Sequence, residues 1–137
     1  VILQHKLKQG VSVKREYSPD LPRIEAYASE LNQVWTNIID NASDAMQGKG
    51  EIFLRTYPED NRVIVEITDN GPGIPENIQA RIFEPFFTTK SPGHGTGLGL
   101  HISHDIIANR HHGQLLVESK PGETKFKVIL PVRINKS

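Results

Sequence analysis

Asn37, Asn41 and Asp44 stand in the stretch NIIDNASDAM at spacings of four and three, so in a helix their side chains lie on successive turns and can reach one small region. Amide oxygens grouped in this way suit a hard cation such as Mg2+. That ion takes oxygen ligands and is often held by one or two protein groups, with substrate phosphates and water supplying the rest. Where phosphates already bring several negative charges, a neutral amide completes the coordination without like-charge repulsion. A solvated polar face of a helix would look the same, and this stretch alone leaves both readings open.

Two glycine-bearing stretches could handle the remainder of a nucleotide. DNGPGIP, Asp69 to Pro75, follows a run of strand character. Asp69 could accept a hydrogen bond from an exocyclic amino group, while Gly71 and Gly73 let the backbone approach a planar ring, as in adenine recognition. Asp-Asn-Gly is equally an ordinary turn signal. GHGTGLGL, Gly93 to Leu100, opens a helix and so offers free backbone N–H groups and a favourable dipole to an anion. It lacks the Gly-Lys-Ser or Gly-Lys-Thr of a Walker loop and the last glycine of a dinucleotide fingerprint. A plain hinge is its ordinary explanation.

Composition narrows the classes. The chain has 137 residues, with 16 Lys plus Arg against 16 Asp plus Glu, so its overall charge favours neither nucleic acid nor an anionic membrane as partner. The length suits one domain with a real core. Absence of cysteine removes thiolate chemistry and is compatible with a reducing compartment, so a cytoplasmic location is expected. No apolar run approaches the roughly 18 residues of a membrane helix. The triplets Asn41-Ala-Ser43 and Asn135-Lys-Ser137 fit a glycosylation pattern by chance.

The elements that must position these residues can be read from periodicity. VILQHKLKQG, residues 1–10, has the character of a helix end with Gly10 as its stop. Strands are expected at Val11–Tyr17 and Arg23–Tyr27, paired as a hairpin across SPDLP, then at Glu51–Tyr57 and Arg62–Thr68 around PEDN. Val63, Ile64, Val65 and Ile67 make the last of these central. From Ala28 to Gln47 apolar residues recur at helical spacing, as they do from Leu98 to Arg110. Strands Gln114–Glu118 and Thr124–Pro131 complete the set. The sum is an α/β sandwich: a mixed, mostly antiparallel sheet of about five strands, covered on one face by about three helices. Residues 71–99 hold six of the 11 glycines and four of the nine prolines, with a helix-like piece near Glu76–Phe83, which favours a functional lid.

Taken together, NIIDNASDA, DNGPGI, RIFEPFFTTK and GTGLGL, in this order, resemble the ATP-binding catalytic domain of bacterial sensor histidine kinases. The wider superfamily includes gyrase-type topoisomerases, mismatch-repair ATPases and heat-shock chaperones, and its ATP-binding fold is of the Bergerat type. FEPFF and GTGLGL favour the histidine-kinase branch. The resemblance implies that residues 1–10 end a linker helix from an upstream domain and that 11–137 form the ATP-binding domain. It further implies that Asn41 binds Mg2+, with Asn37 as its polar partner near the phosphates and Asp44 and Ala45 alongside. Asp69 would bond adenine, with Gly71, Gly73 and Ile74 walling the base and Thr124 close by. Phe83, Phe86 and Phe87 would anchor the lid. Gly95, Thr96, Gly97, Leu98, Gly99 and Leu100 would form the phosphate loop.

Two positions depart from the family pattern. Asp44 stands where many histidine kinases have a basic residue, leaving Lys90 as the expected phosphate contact, and Glu123 replaces a glycine before Thr124. Among His5, His94, His101, His104, His111 and His112 only His104, followed by Asp105, has the His-Glu or His-Asp form usual at a phosphoacceptor site, and it lies within the helical run that the glycine-rich stretch opens. These histidines read as surface or capping residues. The resemblance implies Mg-ATP-dependent transfer to a histidine on a separate phosphoacceptor domain of the same protein. Dimerisation through that domain and a response regulator downstream are also implied, with no nucleic acid and no direct membrane contact by this chain. Rival readings are a stand-alone ATPase or protein-serine kinase of the superfamily, or a non-catalytic nucleotide-binding module.

Overall fold

The computed structural model describes residues 11–19, 21–46, 49–85, 87 and 99–132. In chain order these form β1 (Val11–Tyr17), α1 (Ala28–Ala45), β2 (Gly50–Glu59), β3 (Arg62–Asp69), α2 (Glu76–Gln79), α3 (Gly99–Asp105), a π-helical turn (Ile106–Arg110), β4 (Gln114–Lys120) and β5 (Glu123–Pro131). The sheet order is β1-β2-β3-β5-β4, with β1 parallel to β2 and every other pairing antiparallel. This is the expected mixed sandwich, with β3 at its centre.

The core lies between one sheet face and the helices. Leu31, Val34, Trp35, Ile38, Ile39 and Ala42 form the buried stripe of α1 and pack with Ile52, Leu54, Val65, Ile67, Phe126 and Val128 from the strands. Each large side chain buried in this way contributes about 1.5–3 kcal/mol. α1 is therefore held as a rigid beam across the sheet.

The turns follow from residue chemistry. Asp60 and Asn61 both adopt positive φ, 49° and 62°, and form the two-residue connection between β2 and β3 closed by the Glu59–Arg62 pair. Pro121–Gly122, with Gly122 at φ 86°, joins β4 to β5 across the Lys120–Glu123 pair. Glu123 is thus the first residue of β5, and the last turn closes without a glycine at that position.

Two sequence expectations are corrected. Arg23–Tyr27 is not a strand and makes no hairpin with β1. Parallel pairing of β1 with β2 needs a crossover, which α1 supplies, and Pro22 brings no N–H to a ladder. The segment instead leads into α1, with the Glu25 N–H bonded to Val132 O at 2.8 Å. The expected Leu98–Arg110 helix is α for its first part only, Gly99–Asp105, and then widens into the π turn. Residues 1–10, Gln47 and Gly48 fall outside the described residues.

His111 caps that turn but is not on the surface, being only 1% exposed. Its Nδ1 donates to Ile106 O at 3.0 Å, and its Nε2 accepts the Tyr27 N–H at 3.0 Å. The imidazole therefore ties the start of α1 to the π-helical turn.

Ser43, 2% exposed on α1, has a hydroxyl with no hydrogen-bond partner among the described residues. An unpaired buried hydroxyl costs about 1–3 kcal/mol, and alanine is also the better helix former. Ser43→Ala is expected to raise stability by about 1 kcal/mol, read as a higher midpoint in thermal denaturation.

Candidate functional site

Strand register assembles one end of the site. Ile52, Asp69, Thr124 and Ser119 occupy a single row across β2, β3, β5 and β4. Asp69 and Thr124 are direct neighbours and are 4% and 5% exposed. Asp69 Oδ1 accepts the Gly71 N–H at 2.9 Å. Burial pushes the Asp69 carboxyl above its ordinary pKa, and the Gly71 N–H opposes that rise. A buried acceptor with unused lone pairs at a strand end is suited to an N–H donor from a ligand.

The loop after Asp69 is pressed onto the β4–β5 turn. Gly73 has φ 89°, and a Cβ there would come within 2.3 Å of Lys120 O. Only glycine fits that approach. Ile74 N–H donates to Ser119 Oγ at 2.7 Å, and the Gly122 N–H reaches Pro72 O at 3.3 Å. Gln79 on α2 spans the same junction, its Nε2 lying 2.9 Å from Ile74 O and 3.2 Å from Ser119 O. Asn70 turns the other way and closes β2, accepting the Glu51 N–H at 3.0 Å.

The other end of the site sits two turns and more back along α1. Asn37 Nδ2 donates to Gly99 O at 3.1 Å and to Ser103 Oγ at 3.2 Å, and Ser103 Oγ donates to Gly99 O at 2.9 Å. The Asn37 amide nitrogen is thereby committed to the start of α3, where the glycine-rich stretch ends. Asn41 is half-buried one turn further on, and among the described residues nothing hydrogen-bonds its side chain. Asp44 is half-buried and has interactions of its own. Gly71 meets α1 at its far end, since a Cβ on it would lie 3.2 Å from Met46 Cγ and 3.7 Å from the Ala45 carbonyl carbon.

Thus α1 carries Asn37 and Asn41 between Gly99 at one end and Gly71, whose N–H holds Asp69, at the other. Ile74, Phe83, Phe87 and Leu100 pack at the margin of the core. Phe83 is held by an edge contact to Phe126 at 6.4 Å, by the His104 ring at 5.2 Å, and by His101 Nδ1, which donates to its carbonyl at 3.2 Å. The Arg81 guanidinium lies over Phe87 at 4.7 Å. Phe86, Lys90, Gly95, Thr96, Gly97 and Leu98 fall outside the described residues. Among the described residues no cluster of three His, Asp or Glu side chains could hold a metal, and no helix is long and apolar enough to cross a membrane. A Mg2+ ion here would rely on the unpaired Asn41 amide together with ligand phosphates, a donor set that suits the ion.

Ser119, Gln79 and Ser103 escaped the sequence reading. The Pro-Gly turn was the available signal for Ser119: closing β4 and β5 on it places Ser119 opposite Thr124.

Comparison with known proteins agrees with this fold. The family described as histidine kinase-, DNA gyrase B-, and HSP90-like ATPase matches residues 26–134. The sensory histidine kinase/phosphatase NtrB of Rhodobacter capsulatus is 41% identical over 133 residues, covering 88% of this chain and 37% of that protein. This chain therefore spans well under half the length of that relative. The solved catalytic domain of histidine kinase ThkA is 33% identical, with a TM-score of 0.81 over 90% of this chain and 82% of that one. ThkA has also been solved in complex with the response regulator protein TrrA. Full-length ShkA in complex with AMPPNP is 31% identical, with a TM-score of 0.78 over 89% of this chain and 26% of that one. This chain belongs to the histidine kinase-, DNA gyrase B- and HSP90-like ATPase family, and within it to the catalytic domains of sensor histidine kinases.

Proposed function

We propose that this domain binds Mg-ATP and delivers its γ-phosphoryl group to a histidine on a separate phosphoacceptor domain, as the kinase half of a two-component system. The observation that carries this is the use of α1 as a ruler. Gly71, whose N–H holds Asp69, meets it at Ala45 and Met46, and Gly99 meets it at Asn37. At 1.5 Å rise per residue the nine steps from Asn37 to Met46 span about 13 Å. That matches the reach of a nucleoside triphosphate from its base to its terminal phosphate, with Asn41 in between.

In this reading Asp69 accepts the adenine amino group, and Gly71, Gly73 and Ile74 wall the ring beside Thr124. Asn37 orients the start of α3, and Gly95, Thr96, Gly97, Leu98, Gly99 and Leu100 present N–H groups to the phosphates, with Lys90 adding a cation. Mg2+ held at Asn41 would neutralise charge on the phosphate oxygens. Phosphoryl transfer rests mainly on positioning and charge neutralisation, which is what these groups supply. The acceptor histidine and any proton-accepting group belong to the partner domain. Dimerisation through that domain, and a response regulator as the next acceptor, follow from the same reading. It is supported by the ThkA–TrrA complex and by the AMPPNP bound to ShkA.

Asn41→Ala tests the assignment. Calorimetric titration of ATP with and without Mg2+ is expected to show that the ion enhances binding to the native chain but no longer to the variant, while adenosine binds both alike. Undiminished Mg2+ dependence in Asn41→Ala would place the ion elsewhere.

A further inference from the structure

Ser119 lies outside the four stretches that carry the family resemblance, yet its hydroxyl joins Ile74, Glu123 and Thr124 at the base end of the site. Its Oγ accepts the Ile74 N–H at 2.7 Å and donates to Glu123 O at 3.1 Å. It also lies 3.0 Å from Thr124 Oγ1. A serine has one proton and two lone pairs. With its proton on Glu123 O, the contact to Thr124 is donated by Thr124, so all three positions of the Ser119 hydroxyl are used and the Thr124 rotor is fixed. Gln79 closes the arrangement by bridging Ile74 O and Ser119 O.

We propose that Ser119 is a positioning residue for base recognition: a single hydroxyl fixes both the Ile74 end of the close-approach loop and the Thr124 hydroxyl beside Asp69. The inference rests on the reading of Asp69 as the base acceptor. Its consequence is selectivity. A fixed Thr124 hydroxyl presents one polarity to a purine edge, whereas a freely turning one can donate or accept and so tolerates either a 6-amino or a 6-oxo purine. A site rejects the wrong base to the extent that its polar groups cannot adapt to it.

The test compares calorimetric affinities for Mg-ATP and Mg-ITP, which differ at the 6-position and its neighbouring ring nitrogen. Ser119→Ala is expected to weaken ATP by roughly three- to tenfold, the scale of one net hydrogen bond, and ITP by less, so the ATP:ITP ratio falls. Ser119→Thr, which keeps the hydroxyl, should restore the ratio. In a Thr124→Val background Ser119→Ala should lower the ratio no further, because Ser119 discriminates through Thr124. General destabilisation would shift the melting midpoint but not the ratio. If Ser119→Ala does not fold, Ser119→Cys carries the same comparison with a weaker donor and acceptor. A native ATP:ITP ratio in Ser119→Ala, with ATP binding lost in Asp69→Asn, would overturn the role of Ser119 and leave the base site standing. Native ATP affinity in Asp69→Asn would remove the base site itself, and the role of Ser119 with it.

Discussion

Asp69→Asn is expected to weaken ATP binding by roughly 1.5 to 3 kcal/mol, or about 10- to 150-fold, because a neutral amide replaces the acceptor of a charge-assisted hydrogen bond at unchanged size. Calorimetry on the folded variant measures this directly, and unchanged affinity would contradict the assignment. The same substitution should stabilise the chain when no nucleotide is present. Burial raises the carboxyl's pKa above its ordinary 3.8, so the folded state disfavours the ionised form. The resulting penalty is complete above the folded pKa and disappears below the unfolded one. Stability from this residue is therefore lost as pH rises through the window that begins near 3.8. Asp69→Asn should melt higher than the native chain at pH 7, and the advantage should vanish as pH is lowered toward and below 3.8. A binding residue that costs stability in the empty site is a common bargain at functional positions.

Gly73→Ala should be the most damaging single change in the loop. An L residue at φ 89° carries backbone strain, and the new Cβ would sit 2.3 Å from Lys120 O, a backbone atom held by the β4–β5 turn. Strain and clash together should cost roughly 2 to 4 kcal/mol of stability and displace Ile74 from Ser119, with nucleotide affinity falling in parallel. Gly71→Ala provides a contrast. Its Cβ would meet Asp69 Oδ1 at 2.9 Å and the flexible Met46 side chain at 3.2 Å, at a φ outside the left-handed region. It should therefore impair ATP binding, by displacing Asp69, far more than it lowers the melting midpoint. Equal melting midpoints for Gly73→Ala and the native chain would contradict the close approach.

Much of this fold is written in short-range pattern. The stripe from Leu31 to Met46 predicts α1 to within two residues at its end, and alternation around Phe126, Val128 and Leu130 predicts β5. What local pattern could not supply was long-range pairing. β1 joins the sheet parallel to β2, and nothing within Val11–Tyr17 names that partner. The Arg23–Tyr27 run has strand-like residue types, but the crossover leaves it no neighbour to pair with along its length.

The candidate site shows the same division. Asp69 and the glycines of its loop stand out by residue type and order. Asn37 stands out as well, but helical spacing says only which side of α1 it occupies. That its nitrogen is directed to Gly99 and Ser103 depends on where α3 docks. Ser119 is invisible as a motif because its importance comes from register: only when β4 and β5 close on Pro121–Gly122 does it stand between Thr124 and Ile74. His111 is hidden for a related reason, since its burial follows from the packing of two helical ends that lie far apart in the chain.

The proposed reaction is tested most directly by incubating this chain with radiolabelled Mg-ATP, alone and with a separately produced helical phosphoacceptor domain that carries its histidine. Alone, the chain should bind ATP, turn it over slowly and acquire no stable label. With the acceptor domain present, label should appear on that domain, be lost in acid and survive base, as phosphohistidine does. Transfer should be slower than in a linked protein, because a short flexible tether raises the effective concentration to around the millimolar range. Brisk hydrolysis by the chain alone, or an acid-stable label on a partner's serine, would contradict histidine phosphorylation and favour a stand-alone ATPase or serine kinase.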